Sequence, residues 1–548
     1  MSQHQAFRRT AVPQQVAQQL QTITIPAPTR GIIQNESESY MQPGGAVICD
    51  NWKPTMKGVS LRGGCDRWCV LPEATPIISA FEYVTAANAR MFAGQATKLY
   101  DVTTATPVAV KTGQTSGNYA AAQMSNMAGD WLIVVNDGGD PVLRFNGTTW
   151  ETLISGYTPP GGYPSTITGP VGSAVEHGGA LVYVCKYRGR LFFIERSSMN
   201  AWYLDIDAVG GLLKLIPLSG AASKGGKLLF CAVWSLDAGD GTDDKLVFAT
   251  TLGELLIFTG SNPADAANWR QEGRFQMSEP LGMNAHLAIG GDLLIATVEG
   301  IMPTSGAITK GPAELELAAV TRTIKPMWRE EVADKRDHPW TMCRWDEFGG
   351  FFTTLPGDLP GKHKCLVTNA ATGAHARFTG WDAMCWIKMN GRMYFGTQTG
   401  IVMEADRGGF DDGALYVATL VGGWEMFQSP SQTVTWRQAR ASFTAKAGEP
   451  FQPQLSATTD YIIVLPLPPN PGLDPELQDL WDEGLWGVAK WDEGVPHAAV
   501  VRNTGWVSIG MTGFSHAPIV QVTVGQTVKP VVDLINIAAI FERAGVNV

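Results

Sequence analysis

Seven times between Asn88 and Ala405 the chain repeats one short pattern: a turn residue, three or four apolar residues, a Thr or Gly, a second turn, then another apolar strand. The copies are "NARMFAGQATKLYDV", "GDWLIVVNDGGDPVLRF", "RGRLFFIERSSMNAWYL", "DDKLVFATTLGELLIF", "GGDLLIATVEGIMPTS", "FGGFFTTLPGDLPGKHKCLV" and "NGRMYFGTQTGIVMEA". Each reads as a β-hairpin, because runs of β-branched and aromatic residues are punctuated by Gly, Asn and Asp at turn spacing. Taking the first apolar residue as a marker gives Met91, Leu132, Leu191, Leu246, Leu293, Phe351 and Met393, separated by steps of 41 to 59 residues.

A lone hairpin cannot bury both of its faces. A four-stranded blade stays apolar on each side until neighbours stack on it, so the repeats must close into a ring. A period of about 50 residues fits blade-type repeats and excludes leucine-rich and helical repeats. The expected fold is therefore all-β, a β-propeller of six or seven blades. Strands such as "LLIAT" and "MYFGT" are apolar on both faces and are expected next to the ring axis.

The remaining segments frame that ring. Residues 1–30 are rich in Gln and poor in bulky apolar groups, which predicts a flexible N-terminal arm. Residues 31–78 read as an entry segment with the first strands, and residues 79–413 as the propeller. The stretch Gly311 to Trp340 has helical composition broken by Pro326, and reads as a helical insert covering a loop. Residues 414–548 carry period-two stretches on either side of the Pro-rich "VLPLPPNPGLDPELQDLW", which predicts a C-terminal β-sandwich-like module. Inside it lies "WDEGLWGVAKWDEG", which sets Trp481, Trp486 and Trp491 five residues apart. Such indoles can stack on sugar rings, brace a β-structure or seal a subunit contact; packing within the C-terminal module or against a neighbouring subunit is the expected role, since aromatic anchors dominate protein interfaces.

Charged residues make up only 17% of the chain, and its net charge is -10. Both argue against holding nucleic acid through its phosphates, which needs clustered Lys and Arg. No apolar run approaches a membrane span. Arg8 and Arg9 precede "AVPQQVAQQLQ", too polar for a secretory leader, and eight cysteines are scattered along the chain. Free thiols and folding in a reducing cytoplasm follow. Catalytic and cofactor signatures are missing. "GAASKGGKLLF" from Gly220 misses the phosphate-loop spacing, with Leu228 where Ser or Thr would hold magnesium. No nucleophile elbow or His-Glu-x-x-His helix occurs. The pair Cys65 and Cys69 lacks a second ligand pair, as does His363-Lys364-Cys365 followed by His375. Turn acids Asp237, Asp240, Asp243, Asp244, Asp411 and Asp412 suit Asx turns, and "FNGTTW" from Phe145 lacks the Asp that propeller glycosidases carry in their turn motif. No catalytic, cofactor or metal residue is therefore assigned, and no enzymatic activity is expected.

One region resembles a known group. The run from Gly253 to Ile308, with Gly260, Pro263, Ala266, Trp269, Gly291, Asp292, Gly300 and Pro303, is similar to a signature of bacteriophage structural proteins encoded beside portal and tail genes. "DNWKPTMKGVSLRGG" and "LWDEGLWGVAKWDEG" share in that likeness, which spans roughly residues 30–548. The resemblance implies a tail nozzle or tail hub protein of short-tailed phages, related in class to packaged-DNA stabilisation proteins. It further implies a virion location after assembly in the host cytoplasm, and a homo-oligomer, usually a hexameric ring, under a head-to-tail adaptor ring. Such a ring continues the DNA channel without sequence-specific binding, helps retain packaged DNA, and contacts tail fibre, spike or needle proteins. The alternative is a propeller-based tail component that binds or cleaves glycans.

Overall fold

The computed structural model describes residues 20–37, 41–154, 164, 166–235, 244–311, 314–357, 363–427, 432–446, 450–471 and 499–543. The chain is all-β, with a propeller and a second, sandwich-like β module. Six small sheets stand alone as blades, five of four strands and one of three. A seventh four-strand unit, Met342–Trp345 through His375–Phe378, takes the ring position before the last blade and runs on into an eight-stranded sheet. The first strands of successive blades pack side by side, and Ala383–Met389 of the last returns to Ile77–Val84 of the first, closing the circle.

All seven sequence markers fall on the second strand of their unit: Ala89–Gln95, Gly129–Asn136, Arg190–Glu195, Lys245–Thr250, Asp292–Thr297, Gly350–Leu355 and Arg392–Thr397. These strands are almost continuously buried. They are not, however, the strands nearest the axis, which corrects the expectation for "LLIAT" and "MYFGT". The innermost strands are the preceding ones, whose residues line the axial cavity. The reason is geometric. An innermost strand has the cavity on one side, whereas the second strand is flanked by strands of its own blade and covered by blades on both faces.

Packing between blades is aromatic. Trp150 of the second blade meets Phe92 of the first edge-to-face at 4.9 Å, and Trp386 of the last stacks on Phe352 of the unit before it at 4.4 Å. The "FNGTTW" turn has a structural task here. Asn146 Oδ1 accepts from the backbone N–H groups of Thr148 and Thr149, an Asx turn that aims Trp150 at its neighbour.

The entry segment is divided between the two modules. Gly64–Val70 pairs antiparallel with Ile401–Arg407 and supplies the fourth strand of the last blade, so an early strand closes the ring. Ala46–Asp50, Trp52–Pro54 and Val59–Leu61 join the sandwich instead. Gln21–Pro26, expected within a flexible arm, is a strand aligned with Val532–Arg543 from Gln21 opposite Phe541 to Pro26 opposite Asn536. Alternating Thr and Ile, with Ile25 buried, account for it: the pattern is half-buried β once a partner edge is present. Residues 1–19 lie outside the described residues.

The sandwich packs Tyr416–Gly422, His516–Val524 and Pro453–Thr459 against Val434–Lys446 and Val532–Arg543. Trp436 is fully buried, and Phe427 stacks on Phe541 at 4.6 Å. The helical insert begins earlier than its composition indicates, at Thr304–Thr309, and ends with Lys325–Val332. It is fastened to the fifth blade by Trp328 Nε1 donating to the Thr297 carbonyl, and to the entry segment by the Gln34 and Asn35 N–H groups donating to Thr323. Among the described residues no helix is long and apolar enough to cross a membrane.

Candidate functional site

Three places in the fold combine shape with chemistry: the propeller axis, the joint where the ring closes on the sandwich, and an exposed apolar strip.

The axis is a funnel. In four blades the first strand carries a register break at the same place, leaving Ile78, Val182, Leu229 and Met384 without partners on the second strand. A bulge re-aims the extra side chain. All four line one mouth, a cavity of about 610 Å³ that also holds Met283, Arg196, Arg336 and His338. Beyond it the space narrows to about 240 Å³. There Tyr183 from the third blade reaches His286 of the fifth, Oη to Nε2 at 3.2 Å, and Phe230 of the fourth stacks on the imidazole at 4.2 Å. Burial pulls the His286 pKa down to about 4, so the ring is neutral near pH 7. Three consecutive blades thus meet through one histidine beside the axial cavity.

At the joint, Arg62 is fully buried just before the closing strand. Its guanidinium holds Asp411 through two bonds of 2.8 and 2.6 Å. It also donates to Asn51 Oδ1 and to the carbonyls of Gly63 and Thr379, and lies 3.9 Å from the Tyr416 ring centre. A planar guanidinium with five donors suits a site that must satisfy groups from several segments at once. Gly64 follows, where a Cβ would run into the Phe410 carbonyl oxygen, so the closing strand begins where a side chain does not fit. Beside it is a cavity of about 520 Å³ lined by Lys53, Trp345, Phe348, Asn369, Asp406 and Lys529. Asp406 takes a 2.5 Å contact from Lys529, a 3.5 Å contact from Lys53 and the Gly63 N–H at 2.6 Å.

The third place follows the outer strand Pro453–Thr459 of the sandwich. Tyr461 to Leu467, "YIIVLPL", runs apolar and exposed: Ile462 and Val464 are each 66% exposed and Leu467 87%. Contiguous apolar exposure of this kind marks interaction surface in soluble proteins.

The sequence-predicted residues divide as follows. Trp481, Trp486 and Trp491 lie outside the described residues, as do Asp237, Asp240 and Asp243. Asp411 and Asp412 are ion-pair partners of Arg62 and Arg67, and the Asp244 carboxylate accepts from Ser235 Oγ at 2.6 Å. His375 is held by Thr368 and the Val320 carbonyl, while His363 faces Asp382. Among the described residues no three His, Cys, Asp or Glu side chains converge to form a metal-sized cluster. Sequence reasoning missed Arg62, His286 and the exposed strip. "VLPLPPNPG" was legible as Pro-rich, but the exposure of the residues around it depends on how the sandwich ends.

No protein-family model matches the chain, and no curated protein matches it. Solved structures similar to it include BBS1N in complex with ARL6DN, at 10% identity and TM-score 0.37, covering 66% of this chain and 98% of that one. YCF48 from Cyanidioschyzon merolae matches at 11% identity and TM-score 0.34, covering 62% of this chain and 98% of that one. YCF48 bound to D1 peptide matches at 10% and 0.35, covering 67% and 99%. Likeness at this level carries no inference about binding or activity.

Proposed function

We propose that this chain is a structural, ring-forming protein of a short-tailed bacteriophage tail, at the nozzle or hub position, working by geometry and not by catalysis. The family reading rests on the sequence resemblance around Gly253 to Ile308 and at "DNWKPTMKGVSLRGG". Assembly is supported above all by one observation, the exposed apolar strip from Tyr461 to Leu467. A closed cyclic ring needs a patch that meets a different patch on the next copy, and an apolar strip at the edge of a rigid sandwich suits one half of that contact.

The axial funnel bears on where DNA would pass. Its inner part is a space of about 240 Å³ bordered by Phe81, Tyr119, Tyr183, His286 and Trp386. Tyr183 and His286 of that lining meet, with Phe230 stacked on the imidazole. On this reading a duplex does not thread one propeller; the conduit runs between subunits, with each propeller a wall element. A net charge of -10 suits a wall that DNA slides past without adhering. Adaptor ring, fibre, spike or needle proteins would dock outside that wall, in the virion.

Mass photometry and negative-stain imaging of the purified chain, alone and with the adaptor protein of the same virus, test this. Closed rings are expected. The double variant Ile462→Asp, Leu467→Asp should abolish them while changing monomer stability by no more than about 0.5 kcal/mol, as for exposed sites. A chain that stays monomeric under both conditions, or that binds or cleaves host polysaccharide as a monomer, would overturn the proposal.

A further inference from the structure

We propose that Cys185 and Cys231 are a redox modification site, closing to a disulfide that ties the third blade to the fourth when the protein meets a small-molecule disulfide. Cys185 lies on Leu181–Tyr187, opposite Phe192 of its own hairpin, and Cys231 on Leu228–Trp234, opposite Phe248. These are the first strands of adjacent blades, packed against one another around the axis. Their sulfur atoms are 2.9 Å apart, within about 1 Å of a covalent S–S bond. Side chains that already meet head to head need only a small adjustment to reach bonding distance.

Five of the other cysteines provide an internal contrast. Cys49, Cys365 and Cys385 rest their sulfurs on the carbonyls of Trp52, Trp381 and Ile77. Cys65 rests on Asp411, and Cys343 contacts Met393. Cys185 and Cys231 are the pair among the described residues whose sulfurs contact each other.

The two thiols differ in access, which sets the order of events. Cys185 is half-buried and Cys231 fully buried, so a reagent reaches Cys185 first. The Cys185 thiolate attacks one sulfur of the small disulfide, whose S–S bond breaks and releases one thiolate. Cys231 then gives up its proton and attacks the Cys185 sulfur, displacing the second small thiolate, which takes that proton. The balance is two protein thiols oxidised, one small disulfide reduced to two thiols, and one new S–S bond. Burial raises the Cys231 pKa well above its ordinary value, but its sulfur already touches that of Cys185, so attack on the mixed disulfide needs no further approach. The bond would staple two neighbouring blades in a ring otherwise held by packing and by one closing strand. The inference is independent of the assembly reading, since it concerns a single chain.

The test uses the full-length protein incubated with oxidised glutathione, then alkylated under denaturing conditions and mapped without reduction. Expected are a mass about 2 Da below the reduced chain before alkylation, then six alkylated cysteines and one cross-linked peptide pair containing Cys185 and Cys231. A Tm about 3 °C higher, reversed by reductant, should accompany them. Cys231→Ser should instead stop at a stable Cys185–glutathione mixed disulfide, and Cys185→Ser should keep its near-UV spectrum and form neither product. Eight alkylatable thiols after oxidation, a mixed disulfide at Cys185 that persists in the unmodified protein, or a cross-link to any other cysteine would overturn the proposal.

Discussion

The propeller and the sandwich are both all-β, yet they are put together in opposite ways. Each free-standing blade from Ile77 to Gln276 is a meander of consecutive strands, pairing partners within a few tens of residues. The sandwich pairs residues near the two ends: Gln21–Pro26 with Val532–Arg543, and Ala46–Asp50 with Tyr416–Gly422. The first four blades can therefore form one by one, whereas the sandwich and the last blade need strands hundreds of residues apart, because long loops are closed before their contacts repay the entropy. The two modules meet at Arg62, which sits between the last sandwich strand of the entry segment and the strand that closes the ring.

Three perturbations probe that contrast, the largest first. Arg62→Ala leaves Asp411 buried without its cation and strips the bonds to Asn51, Gly63 and Thr379. Breaking a buried, hydrogen-bonded pair costs about 3 to 5 kcal/mol. Because Arg62 serves both modules, denaturant unfolding should show propeller and sandwich both weakened. A loss confined to one module would mean that the joint does not couple them.

Acid should come next. His286 and His375 have pKa values drawn down to about 4 by burial, from 6.5 in the unfolded chain. Below pH 6.5 the unfolded chain takes up protons that the native one refuses. Their contribution is therefore intact above pH 6.5 and is lost progressively as pH falls towards 4, by roughly 3 kcal/mol per histidine at the end of that range. His286 bridges blades, whereas His375 lies on the strand that continues from the ring into the sandwich sheet. Hydrogen exchange at pH 5 should show opening around both. His375→Gln should flatten the pH dependence at the joint alone; an unchanged profile would remove burial as the cause.

Ile25→Val is the mildest. Loss of one buried methyl costs about 0.5 to 1.5 kcal/mol. Ile25 lies on Gln21–Pro26, which pairs with the sandwich strand Val532–Arg543. Faster exchange in 532–543, with blades one to four unchanged, is the expected result. Propagation into those blades would show that the modules are less separable than their topology suggests.

The amino-acid sequence by itself determined the repeat: all seven apolar markers from Met91 to Met393 sit on equivalent strands, because burial on both faces leaves a run of apolar residues that survives in one dimension. It determined the sandwich's β character in the same way. Local composition carried less about Thr304 to Val332, whose helical texture was visible but whose start is fixed by Thr304 and Ser305 bonding to Leu293 and Asp292 of the fifth blade. What only the tertiary structure decided was pairing at long range. "GCDRWCV" carries no mark that its partner is Ile401–Arg407, and "QTITIP" reads as an arm until the edge of Val532–Arg543 is there to receive it. Nor could sequence bring Tyr183, Phe230 and His286 of three blades together, or Cys185 against Cys231. The physical reason is that a strand's periodicity records how deeply it is buried, while the identity of its neighbour is fixed by ring closure and sheet register, which no single segment contains.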